Sequence, residues 1–309
     1  MPKLYIDEFV GISNRLETLP LAFAIRKTYG HDIVLDWREL DSFTVDDTTR
    51  GTVRILARLG AQRIRDCDRT TFDGLRDKKI ILRSLDGPSE VLDPIYLEAG
   101  RKIHLNRELA EGIKRSFSAF KDRPVVGVHI RHGDFLVVNE NIYDPIATEW
   151  PAVPIWWYEK AMAAMLRKQK DVCFFLSCTG DPLSFDALHK NFDVFSLQTE
   201  SHYEYKQNSP HQSTVNPVAD IFALGCCPTL LATPVSGYSH WAANVLGGPT
   251  TCIIPLPGAT PDAPAMGKLE IYGQRLPVWR AAGRKGTAEP LSADLDGLNV
   301  NKAAHTDWL

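Results

Sequence analysis

Along most of the chain, short strand-like apolar runs alternate with stretches in which apolar residues return every three or four positions. The runs are "KLYIDEFV" from residue 3, "HDIVLDW" from 31, "VVGVHI" from 125, "VCFFLS" from 172, "DVFSL" from 193, "TLLAT" from 229 and "TCIIPL" from 251. Several lack any polar alternation, as expected of strands covered on both faces. Between them the helical period appears up to about Tyr29, in "NRELAEGIKRSFSAF", in "IWWYEKAMAAMLRK", near "LSFDALHKNF", from Asn216-Pro217 onward and in "SGYSHWAANVLG". Asn216 followed by Pro217 is a cap with proline at the first helical position. Strands alternating with helices predict an α/β fold with a mainly parallel sheet, whose ligands lie beyond the carboxyl ends of the strands.

The regularity is uneven. Residues 40 to 105 carry only short apolar runs such as "KKIILRSL" between Asp- and Gly-rich turns, and "KDRP" interrupts the chain just before residue 125. This divides it into an N-terminal domain over 1–122, a second domain over 123–265, and a weakly periodic tail over 266–309 that either packs back or is partly disordered. There is no internal repeat, low-complexity tract or block of like charge.

Composition narrows the function classes. With 309 residues, 44% hydrophobic and 24% charged, the chain can bury a sizeable core. A net charge of −3 argues against a general nucleic-acid or membrane-surface binder, while a small anion needs only a local positive site. No apolar run reaches the roughly 20 residues of a membrane span. The six cysteines, at 67, 173, 178, 226, 227 and 252, read as reduced buried thiols, and the cytoplasm is the expected location.

Chemistry gathers at three strand ends. "VVGVHI" runs directly into Arg131, whose planar charged fork suits phosphate or carboxylate; a structural ion pair to Asp134, three residues on, fits the spacing equally. "LSCTGDP" places Ser177, Thr179 and Asp181 beyond a second strand. "ATPVSGYSHWA" places Thr233, Ser236 and Ser239 around a strand-to-helix turn, where unpaired N–H groups and these hydroxyls can hold a phosphate oxygen, and where a plain helix cap at Ser236 is the simpler reading. The loop "GISN" after the first strand is a fourth candidate. No Walker-type lysine loop, G-x-G-x-x-G run or G-x-S-x-G elbow occurs. His129 and His132 fall on opposite faces of a strand, and the Asp66/Asp68 and Asp294/Asp296 pairs lie in polar segments, so no metal site is expected.

"GVHIRHGDF" resembles the H-[VI]-R-x-x-[DN] motif of GDP-fucose-dependent fucosyltransferases, the nodulation-factor and core α-1,6 enzymes among them. The resemblance continues in order through "GISNRLETLPLAFAIRKTYGHDIVLDWR", "FFLSCTGDP", "SPHQST" and "VADIFALGCCPTLLATPVSGYSHWA". It implies a GT-B fold, with two Rossmann-like domains and the nucleotide held by the C-terminal one. It further implies inverting, metal-independent transfer of L-fucose from GDP-β-L-fucose, with no cofactor beyond that donor substrate. By the same match Arg131 would grip the β-phosphate and His129 would lie beside the nucleotide. Thr179 closes the similar strand, and Asp220 would contact guanine or ribose. Ser236, Gly237 and Tyr238 would complete the phosphate contacts, and His211 would lie over the donor. Gly11 and Asn14 would approach the reacting end. An acid follows the motif arginine by eight residues in the core enzymes; here that position is Asn139, so Glu140 is the candidate base and Asp134 the reserve.

Two departures matter. Pro20 suggests that the first helix begins only at Thr18, after a longer loop. The segment "LVVNENIYDPIATEWPAVP" has its own character, leaving the acceptor open among a glycan, a peptide and a small-molecule glycoside. Two rival readings stand: the same scaffold with another nucleotide sugar, and a non-catalytic nucleotide- or glycan-binding protein.

Overall fold

A computed structural model of the chain describes residues 1–197 and 216–309. The chain divides into two compact units, Met1–Asn106 and Arg107–Leu309. The division falls before the helix Arg107–Ser118, not after it as the sequence suggested. The reason is packing: the apolar face of that helix, Ala110, Ile113 and Phe117, is buried, and Phe117 lies 5.4 Å from both Phe175 and Phe195 of the second unit. A helix that covers a sheet belongs with it, whatever polar turn follows.

In the first unit, strands β1 (Lys3–Ile6), β2 (Asp32–Leu35), β4 (Thr48–Arg50), β5 (Gln62–Ile64) and β6 (Ile80–Leu82) form a parallel sheet in the order β4-β2-β1-β6-β5. Strands β3 (Phe43–Val45) and β7 (Ile103–Leu105) pair apart from it, antiparallel. "GISNRLET" is not a plain loop. It holds a short helix, α1 (Ile12–Leu16), and then Thr18 starts α2 (Leu19–Tyr29), with Pro20 in the first turn where its missing N–H costs nothing. Gly30, at φ 76°, ends α2 in the left-handed conformation.

In the second unit the sheet runs β10-β9-β8-β11-β12-β13-β14: β8 (Val125–Ile130), β9 (Cys173–Cys178), β10 (Val194–Phe195), β11 (Thr229–Leu231) and β12 (Thr251–Pro255) are parallel, while β13 (Met266–Leu269) and β14 (Glu289–Pro290) are antiparallel. All six residues of β8 are buried, as an unbroken apolar run between two helical layers requires. Gly127 sits at its centre because a Cβ there would lie 2.9 Å from Leu230 Cδ1 and 3.2 Å from Cys227 Cβ. The flanking helices are α3 (Arg107–Ser118), α4 (Ile155–Lys168), α5 (Asp186–Asn191), α6 (Pro217–Gly225), α7 (Gly237–Asn244) and α8 (Leu276–Lys285). The Asn216 side chain accepts the N–H groups of Val218 and Ala219 to start α6.

The tail is not loose. It supplies β13, α8 and β14, and Trp308 stacks on Phe222 at 5.7 Å and covers Gly225 and Gly247. Among the described residues no helix is long and apolar enough to cross a membrane. All six cysteines are buried thiols.

Candidate functional site

The strand order of the second unit reverses between β8 and β11, because the chain runs outward one way through β9 and β10 and the other way through β12. That is where an open parallel sheet leaves a crevice. Arg131 begins one side of it and the turn Thr233–Ser236 forms the other. The Arg131 N–H donates to Thr233 Oγ1 (3.1 Å), and the Thr233 hydroxyl donates to the His129 carbonyl (2.8 Å), which also accepts from Tyr158 Oη (2.9 Å). Thr233 and Tyr158, both fully buried, therefore staple the two strand ends.

Ser239 is likewise turned inward. Its Oγ accepts the Thr233 N–H (3.1 Å) and lies 2.7 Å from His129 Nδ1, so its own proton is available to that nitrogen. His129 stacks on Tyr238 (4.9 Å between ring centres), and burial, then the Arg131 charge, push its pKa down to about 3. It is a neutral ring in a closed pocket. Thr233 and Ser239, read from the sequence as phosphate-facing hydroxyls, instead build the frame.

Ser236 does cap α7, its Oγ accepting the Tyr238 N–H (3.3 Å). The N–H groups of Ser236 and Gly237 have no acceptor among the described residues. The turn reaches this shape through Val235, fully buried at φ 68°. A β-branched residue in the left-handed region costs about 1–3 kcal/mol and persists only where its surroundings hold it. Tyr238 Oη donates to the Pro217 carbonyl (2.6 Å), tying α7 to the start of α6.

Arg131 is half-buried and pairs with Asp134: Nε to Oδ1 and Nη2 to Oδ2, each 2.9 Å. The ion-pair reading is thus realised, and it fixes the plane of the fork at the crevice. Farther along the strand ends, Asp220 on α6 is 5% exposed, and its Oδ1 has no partner among the described residues; the same holds for Thr179 Oγ1 after β9 and Ser196 Oγ after β10. Burial raises the Asp220 pKa to about 7, and a hydrogen bond from Ser177 opposes the rise. Buried polar atoms that find no partner among the protein's own described residues are uncommon.

Other sequence candidates separate. Glu140 is solvent-exposed on the loop after β8, its carbonyl accepting from Trp156 Nε1 (2.7 Å). His132 is tied to the Val153 carbonyl (3.1 Å), and Asp181 caps a short turn through the Leu183 N–H (2.9 Å). Asp68 likewise caps a short helix through the Thr71 N–H (2.7 Å). His211 lies outside the described residues.

In the first unit, Gly11 caps α1 in extended conformation, with open space around it, and Asn14 lies within α1. Two groups there escaped the sequence reading. The sheet order of this unit reverses between β1 and β6, and across that point Asp7 accepts from Arg83 Nε (3.0 Å) and Nη2 (2.6 Å). Behind them Arg15 and Glu39 form a buried bidentate pair at 2.9 and 2.6 Å. Asp7 carried the same signal as Arg131, a charge directly after a buried run. Its partner 76 residues away is found only through strand order.

No family model matches the chain, and no curated protein does. Solved structures do resemble it. NodZ α-1,6-fucosyltransferase co-crystallised with GDP is 15% identical, covers 88% of this chain and 99% of its own, and superposes with a TM-score of 0.53. Fucosyltransferase NodZ from Bradyrhizobium gives 17%, 82% and 96%, with a TM-score of 0.50. A mutant of Arabidopsis thaliana FUT1 in complex with GDP gives 9%, 88% and 74%, with a TM-score of 0.52. The likeness is one of fold: α/β with mainly parallel sheets, the GT-B fold shared by these fucosyltransferases.

Proposed function

We propose that the protein is a glycosyltransferase that moves L-fucose from GDP-β-L-fucose to a hydroxyl of a glycan or other glycoside, with inversion and without a metal. The observation that carries this reading is Arg131. Its guanidinium is oriented by Asp134 at the strand end, and its backbone N–H is bonded to Thr233 of the turn that carries the Ser236 and Gly237 N–H groups, at the point where the sheet order reverses. The crystallised NodZ and FUT1 relatives of this fold hold GDP, and NodZ has been soaked with GDP-fucose.

Transfer would run as follows. The acceptor oxygen forms a bond to the anomeric carbon while the bond from that carbon to the β-phosphate oxygen breaks. The electron pair leaves on the phosphate, and the acceptor proton goes to a carboxylate. Charge therefore grows on the β-phosphate during reaction, and a preorganised guanidinium with helix N–H groups stabilises it more in the transition state than in the ground state. A divalent cation serves the same purpose in other transferases; here fixed protein charge takes that place, and activity in EDTA is expected to be unchanged. Asp134 pairs with Arg131, which makes it the orienter of the fork, and the proton acceptor in this proposal is the exposed carboxylate of Glu140 on the loop after β8. Glu140→Gln is then expected to cut turnover with GDP-fucose binding retained. Unchanged turnover would remove that role.

The test of the donor is calorimetry of the wild type and Arg131→Ala against GDP, GDP-fucose, UDP and ADP. Binding of GDP and GDP-fucose only, lost in the variant, supports the proposal. Preference for UDP or ADP replaces the donor with another nucleotide sugar. Unimpaired GDP binding by the variant removes the phosphate role of Arg131.

A further inference from the structure

Three residues of the helix α8 meet the turn Pro234–Ser236, besides its contacts with His240, Glu149 and Trp150. Trp279, 1% exposed, donates its Nε1 proton to the Ser236 carbonyl (3.0 Å). Arg280 Nε donates to the Val235 carbonyl at a longer 3.4 Å. Gly283 lies so close that a Cβ there would meet Pro234 Cβ at 2.8 Å and the Val235 nitrogen at 3.1 Å. Three positions on one helix thus grip three consecutive residues, one of them in strained backbone.

The consequence follows from the planarity of the peptide group. In a trans peptide the carbonyl of one residue and the N–H of the next point in opposite directions. Holding the Val235 carbonyl toward α8 aims the Ser236 N–H away from it. Holding the Ser236 carbonyl does the same for the Gly237 N–H. These are the two N–H groups that have no acceptor among the described residues.

A helix cap alone does not need this arrangement, since Ser236 already caps α7 through its own side chain. Such bracing matters where an N–H must stay aimed at something not yet present. We infer that Trp279 and Gly283 are positioning residues, which act through the strained turn to aim the Ser236 and Gly237 N–H groups at the diphosphate of the donor. This rests on the donor reading above. It adds to it that a helix outside the nucleotide-binding motifs sets the affinity for phosphate and leaves the nucleoside half untouched.

The test separates the two halves of the ligand. GDP and guanosine, which shares the base and ribose and lacks phosphates, are titrated into wild type, Trp279→Phe and Gly283→Ala. Trp279→Phe removes the donor while keeping an aromatic ring, and Gly283→Ala pushes on Pro234 without touching any hydrogen bond. With charge-assisted hydrogen bonds misaligned, GDP affinity should fall about tenfold in each variant. Guanosine affinity should stay at its wild-type value, which also certifies that the variants fold. If GDP and guanosine weaken together, or if GDP is unaffected, α8 is ordinary packing and the inference is wrong. If the wild type itself binds GDP no better than guanosine, the phosphate reading of Arg131 falls first and this one with it.

Discussion

Asp220 and His129 line the same unit's strand ends, and burial moves them in opposite directions, the carboxyl up to about 7 and the imidazole down to about 3. Each is driven toward its neutral form, because desolvation penalises charge of either sign. For Asp220 this has a functional reading if its carboxylate accepts N–H groups of a guanine. Only the ionised form can accept both, so GDP affinity should be flat above pH 7 and fall about tenfold per unit below it. Calorimetry from pH 6 to 8 reads the slope, and Asp220→Asn should bind weakly with no slope. A wild-type affinity independent of pH would detach Asp220 from the base. His129 acts on stability instead, and buried His240, also near 3, acts with it. Their folded values lie below the ordinary 6.5. The stability they contribute is therefore complete above pH 6.5 and lost as pH falls toward 3. Urea midpoints should decline through that window, most steeply below pH 6.

At the scale of single elements, the sequence predicted most where one local rule decided the outcome. β8 and α4 fall on "VVGVHI" and "IWWYEKAMAAMLRK" residue for residue, because an unbroken apolar run and a helical period each have one stable solution between packed layers. The caps at Asn216 and Ser236 were legible for the same reason. Helix α8 was not. Of its four buried positions, Leu276, Trp279, Ala282 and Gly283, two are small residues that give no hydropathy signal, yet closeness to the turn requires smallness there. Thr233 and Ser239 were misread because a hydroxyl beside a turn looks the same in sequence whether it faces the ligand or the frame. Gly127 offers an element-level test. Gly127→Ala places a methyl against Leu230 and Cys227, and overpacking of this kind costs about 1–3 kcal/mol. Denaturant unfolding should show that loss with an unchanged m-value; a neutral result would mean that β8 and α6 can move apart.

For the whole molecule, the feature least visible in sequence is strand order, which brings Arg131 to Thr233 and Asp7 to Arg83. Local pattern gives the strands and their ends, and only topology says which ends are neighbours. The second such feature is the reach of the tail. Trp308 covers the back of α6, whose front carries Asp220, while α8 holds the turn beside α7. Trp308→Ala should therefore lower unfolding free energy by about 2 kcal/mol through lost burial. A thermal melt with and without GDP measures it, and an unchanged melting temperature would make the stacking incidental. The placement of α8 and Trp308 also has a consequence in time. Both are synthesised after every parallel strand of that sheet, so a nascent chain can pair those strands before it can hold the turn at Val235 in its strained form. On the proposed reading, nucleotide binding would appear only once the segment beyond residue 275 has left the ribosome.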